Sequence, residues 1–196
     1  MAGEPFNPIR FARNAVLIAS GCGLVAWIVV ASAIPNLSPK RFHTVVEGEL
    51  YRSGKLTPAA FKTVVREHDI KTIVDLGAWP DGSVEDTRAA RTAEALGVDR
   101  VEFDLHGDAT GELDEYAQAL AIMIDPARQP VLIHCGAGTE RTGCAVMLYR
   151  TLIEGADVES AYAEAESIGH SGDRNPKLRG VYDAARPVVE AALQQQ

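Results

Sequence analysis

Cysteine is scarce in this 196-residue chain, which has only Cys22, Cys135 and Cys144. Three scattered thiols make no disulfide framework. No Cys/His cluster has metal-ligand spacing, so neither a metal nor another cofactor is expected. Basic charge is also in short supply. The formal net charge is −8, and residues 1–41 hold Arg10, Arg13, Lys40 and Arg41 against Glu4, which leaves −11 on residues 42–196. A body that acidic lacks the electrostatic footprint of a nucleic-acid binder, and no such partner is expected. Repeats are missing, and Gln194-Gln195-Gln196 is the one low-complexity stretch. The length suits a single domain able to bury a core.

What the N-terminal part does have is an uncharged run. Residues 1–14 form a polar, weakly basic tail, and residues 15–34 follow without a single charge. Twenty such residues are long enough to span a bilayer as a helix. A membrane anchor is therefore expected over 15–34, single-pass, with the body of the chain on the extracytoplasmic side. Ala31-Ser32-Ala33 is also a cleavage pattern, so a secreted or periplasmic form released after Ala33 stays open. Residues 35–41 read as a linker, and 42–196 as the main domain.

Thr44 to Gly54 reads as two short strands around a Gly turn. Thr57-Pro58 caps and starts a helix to about His68. Lys71–Leu76 and Arg100–Leu105 read as strands, with a helix from Ser83 to Leu96 between them, stopped by Gly97. Apolar stripes predict helices from Leu113 towards Pro126, around Val158–Ala165, and from Leu178 to Ala192 with a kink at Pro187. Strands alternating with helices predict an α/β fold, a mainly parallel sheet flanked by helices on both faces.

The stretch from Val131 to Gly143 organises the rest. Val131-Leu132-Ile133-His134 is a buried strand, a Gly-rich loop follows, and a helix is expected from Arg141 to Glu154. Strand, loop and helix N-terminus converge their amides on one point, which is a ready anion site. Cys135 opens the loop and Arg141 closes it. A thiol there is expected to ionise early, beside loop amides, a helix dipole and a guanidinium. The amides of Gly136, Ala137, Gly138, Thr139 and Glu140, with the Arg141 fork, would hold phosphate oxygens.

His134-Cys135-x5-Arg141-Thr142-Gly143 resembles the signature of the cysteine-dependent protein tyrosine and dual-specificity phosphatases. Leu50-Tyr51-Arg52-Ser53-Gly54 is similar to the opening of a bacterial atypical dual-specificity-like subgroup. The resemblance implies a metal-free phosphatase in which Cys135 attacks phosphorus, acting on a phosphorylated protein or a small phosphomonoester. Other chemistries share a Cys-x5-Arg loop, so thiol redox or sulfur transfer, and a phosphate-binding module without turnover, stay open.

The resemblance also implies an acid, an Asp about thirty residues before the nucleophile. Asp108 lies 27 residues before Cys135, in a loop at the carboxyl end of a strand, and Asp104 lies 31 before it. Asp108 is preferred, with Asp104 second. Trp79-Pro80-Asp81 spells the family's acid-loop tripeptide but stands 54 residues upstream, and reads as a loop near the site. Thr142 is expected to donate a hydrogen bond to the Cys135 thiolate. Arg52 reads as an ion-pair partner, and His170 as a core or capping histidine. Thr139 and Glu140 stand where inositol-phosphate-hydrolysing relatives carry Lys or His. With Glu140 unscreened, a polyanionic substrate is disfavoured.

Overall fold

The computed structural model describes residues 8–195. Helix α1 (Pro8–Leu37) comes first, then β1 (His43–Val46), β2 (Leu50–Gly54), α2 (Pro58–Glu67), β3 (Thr72–Asp75), α3 (Val84–Leu96) and β4 (Asp99–Glu102). The second half holds α4 (Leu113–Ile124), β5 (Val131–Cys135), α5 (Glu140–Leu152), α6 (Val158–Ser167) and α7 (Lys177–Leu193).

The five strands lie in the order β1-β2-β5-β3-β4, with only the β1 edge antiparallel. The sheet is thus mixed but mainly parallel, and β2 to β5 all end at one edge. Side chains in register share a face. Tyr51, Leu132 and Ile73 form one such row, and they pack with Val64 and Val65 of α2 and Ala93 of α3. Leu50, Val131, Ile133 and Val74 point the other way, into the larger core under α4, α5, α6 and α7. Helices therefore cover both faces, as expected. Central α5 is buried from Arg141 through Tyr149 because the sheet lies on one side of it and α6 and α7 on the other.

Local signals hold up where they are strong. Thr57 Oγ1 accepts the Ala60 amide and Ser83 Oγ accepts the Asp86 amide, capping α2 and α3, and Gly97 takes φ +69 to end α3. Strand β4 stops at Glu102, short of the expected Leu105. Its partner β3 ends at Asp75, so after the Phe103 amide bonds to the Asp75 carbonyl (2.8 Å) no parallel strand remains to pair with. Helix α5 begins at Glu140 and ends at Leu152, and α7 runs through Pro187 without interruption.

The membrane span expected over 15–34 is not supported. Among the described residues no helix is long and apolar enough to cross a membrane. The side chains at 15, 32 and 34 lie outside the described residues.

Candidate active site

The loop between β5 and α5 is shaped from outside by cations. Gly136 O accepts from Lys40 Nζ (3.2 Å) and from the Lys55 amide (3.3 Å). Ala137 O accepts from Arg41 Nη1 (2.9 Å), and Gly138 O from Arg52 Nη2 (3.0 Å). In a planar trans peptide the next N–H points opposite the carbonyl. Drawing three successive carbonyls outward therefore turns the amides of Ala137, Gly138 and Thr139 inward. The Gly138 amide shows it, donating to Cys135 Sγ at 3.2 Å. Only glycine serves at 138: φ is +79, and a Cβ would stand 2.5 Å from the Gly54 nitrogen.

Helix α5 continues the cradle. No side chain caps its N-terminus at Thr139, so its first amides are left open to an anion. Arg141 is 9% exposed, yet its guanidinium is only half used. Nη1 donates to the carbonyls of Leu76 (2.7 Å), Gly77 and Leu105 (3.0 Å). Those bonds fix the plane of the fork. Nε is buried without a partner, which leaves the Nε–Nη2 edge for a pair of oxygens. Gly77 allows this approach, since a Cβ there would stand 3.0 Å from Nη1 and φ is +71.

The other sequence candidates divide. Cys135 is 1% exposed at the end of β5. The bond expected from Thr142 to Cys135 is not made, and the buried Thr142 hydroxyl has no partner among the described residues. Arg52 is not an ion-pair partner. It is 1% exposed, its Nε and Nη1 are unsatisfied, and burial pulls its pKa down to about 10, so it stays charged at neutral pH. Neighbouring His134 has its pKa lowered, chiefly by burial, with Nε2 3.6 Å from Asp75 Oδ2. Trp79 meets His134 edge-on at 5.7 Å, so Trp79-Pro80-Asp81 does lie near the site.

Both candidate acids lie on the segment after β4, whose Leu105 carbonyl touches Arg141. The Asp104 side chain is exposed between buried Phe103 and Leu105. Asp108 is engaged elsewhere: it accepts from Lys177 Nζ (2.6 Å) and from the hydroxyl (2.6 Å) and amide (3.2 Å) of Thr110. The Lys177 bond, then those from Thr110, hold its carboxyl well below the usual range. The ion pair is exposed (58% and 37%), so an arriving substrate breaks it at little cost. Lys177→Met is expected to let the Asp108 pKa rise. A general acid must be protonated, so the alkaline limb of kcat/KM should move to higher pH. A limb that stays in place in a pH–rate profile would assign the proton to Asp104.

Two features had no strong sequence signal. Lys40 and Arg41, taken as linker, hold the loop. Glu140, taken as unscreened, bonds to His170 Nδ1 (2.8 Å), and Tyr162 stands behind His170 (3.0 Å).

A sequence profile described as the tyrosine phosphatase family matches residues 36–175. The chain belongs to that family. It is 32% identical over 133 residues to the inositol diphosphatase DSP2 of Oryza sativa subsp. japonica, covering 64% of this chain and 60% of that one. It is 27% identical over 121 residues to the tyrosine-protein phosphatase-like protein OCA2 of Saccharomyces cerevisiae, covering 61% and 60%. The chain thus spans about three fifths of the length of these relatives. Among solved structures, the core catalytic domain of the PP-IP phosphatase SIW14 from S. cerevisiae, with citrate, is 27% identical with a TM-score of 0.58, over 66% of this chain and 76% of that one. TpbA of P. aeruginosa is 25% identical with a TM-score of 0.60, over 77% and 91%. These neighbours place the chain in the cysteine-dependent tyrosine/dual-specificity phosphatase superfamily, and its relatives are phosphatases.

Proposed function

We propose that the chain hydrolyses phosphomonoesters through a phosphocysteine intermediate, as a phosphatase of the protein tyrosine/dual-specificity type. The observation that carries this reading is the free Nε–Nη2 edge of Arg141, held in plane by three carbonyls, on a loop whose amides turn inward over Cys135. Two phosphate oxygens sit on that edge and the third on the amides. The Cys135 sulfur attacks phosphorus, and the P–O bond to the leaving group breaks. An aspartic acid, Asp108 or Asp104, gives its proton to the departing oxygen. The resulting carboxylate then takes a proton from water, which attacks phosphorus and releases Cys135 and phosphate. The test is a panel of phosphomonoesters, read as released phosphate, with phosphotyrosine peptides expected to turn over.

A second substrate reading has specific support. Relatives bear the name inositol diphosphatase, and Lys40, Arg41 and Lys55 cluster closely enough that, after burial, their mutual repulsion lowers the Lys40 pKa. Against it, no residue from 136 to 140 is cationic. An inositol diphosphate belongs on the same panel, and faster turnover of it than of phosphotyrosine peptides would choose this reading.

We also infer that the uncharged run at residues 15–34 exports the catalytic body, which is extracytoplasmic and stays tethered unless the chain is cleaved after Ala33. Support comes from twenty consecutive uncharged residues at 15–34. Val16, Leu17, Ile18, Leu24, Val25 and Trp27 of that run are 58–67% exposed. The full chain should sediment with membranes and resist carbonate extraction. A soluble form beginning at Ile34 would instead show cleavage after Ala33.

A further inference from the structure

Glu140 is the one ionisable residue between Cys135 and Arg141. A carboxylate in a loop built for anions works against its purpose, unless something fixes where it points. His170 does so from thirty residues away. Its side chain is 0% exposed, and both ring nitrogens are engaged. The Tyr162 hydroxyl meets Nε2 at 3.0 Å. The Glu140 carboxylate can only accept, so the ring carries a proton on Nδ1 and donates it to Oε2 at 2.8 Å. The Glu140 side chain is only 13% exposed in this position. The same turn meets the loop a second time, at Gly169, where a Cβ would stand 2.9 Å from the Nε of Arg41, the residue bonded to Ala137 O.

We propose that His170 is a specificity-determining residue: by pinning the Glu140 carboxylate against the turn after α6, it sets how much negative charge the phosphate loop accepts. The inference rests on the phosphatase reading above, because it concerns the same loop. Freed from His170, the carboxylate can swing towards the bound anion, and repulsion grows with the anion's charge. His170 touches no substrate and acts through Glu140.

Binding separates this from turnover. In the Cys135→Ser chain, orthophosphate and pyrophosphate are titrated by calorimetry. Adding His170→Ala is expected to weaken orthophosphate a few-fold and pyrophosphate about tenfold. Adding Glu140→Gln to that variant should recover both. Equal losses for the two anions, or no recovery, would make His170 a structural strut and overturn the proposal. Should His170→Ala fail to fold, Glu140→Gln alone decides the matter. It should tighten pyrophosphate more than orthophosphate, whereas a strut would loosen both. His170→Gln, which keeps a donor, should retain most of the original preference. Wild-type turnover with an unchanged anion preference in His170→Ala sinks this inference alone. Absence of both turnover and orthophosphate binding sinks the phosphatase reading with it.

Discussion

Cys135→Ser should abolish turnover, by roughly a thousandfold or more, while orthophosphate binding survives. The two effects separate because they come from different atoms. The cradle consists of amides turned inward by Lys40, Arg41 and Arg52, the uncapped start of α5 and one edge of Arg141. None of these supplies the reacting electron pair. A serine hydroxyl fits in place of the thiol and can still accept from the Gly138 amide, which now donates to sulfur at 3.2 Å. At neutral pH it is not an anion, so attack on phosphorus fails. Residual activity of more than a few per cent of wild type, measured as phosphate release, would rule out a phosphocysteine. A wild-type chain that binds phosphate but releases none would instead be a binding module.

Arg141→Lys is expected to lower kcat/KM by at least about a hundredfold although the charge is kept. Nη1 alone ties together the carbonyls of Leu76, Gly77 and Leu105, so the guanidinium joins the ends of β3 and β4 to the loop. A lysine ammonium is a point charge. It can serve those carbonyls or the phosphate, but it cannot present two parallel donors to oxygens while its third position is anchored. Near-normal efficiency in the lysine variant would mean that the Nε–Nη2 edge is not where phosphate sits.

The strand, loop and helix of the signature were legible because their signal is local. Three apolar residues and a histidine, a glycine-containing turn and a helix start lie within thirteen consecutive positions, and β5 and α5 appear within a residue or two of expectation. The cap at Thr57 and the stop at Gly97 were legible for the same reason. What escaped was set by contacts between distant parts of the chain. Arg52 looked like a structural ion-pair partner, but its register with Ile133 turns it into the main core, where a carbonyl is its partner. Lys177 lies 69 residues from Asp108, and no periodicity announces that the two meet. Lys40 and Arg41 looked like linker because nothing in their own neighbourhood shows that Gly136 and Ala137 lie beside them.

Arg52 carries one more consequence. Its guanidinium stays charged under the loop, and among the described residues two of its nitrogens and the Nε of Arg141 are buried without hydrogen-bond partners. Unfolding would return both side chains to water. An oxyanion in the cradle gives the Arg141 edge its partner only in the folded chain, so by mass action it is a folding ligand as much as a substrate analogue. Thermal resistance of this protein is then not a fixed property of its sequence but a function of the phosphate around it, lowest in phosphate-free buffer and rising as the loop fills.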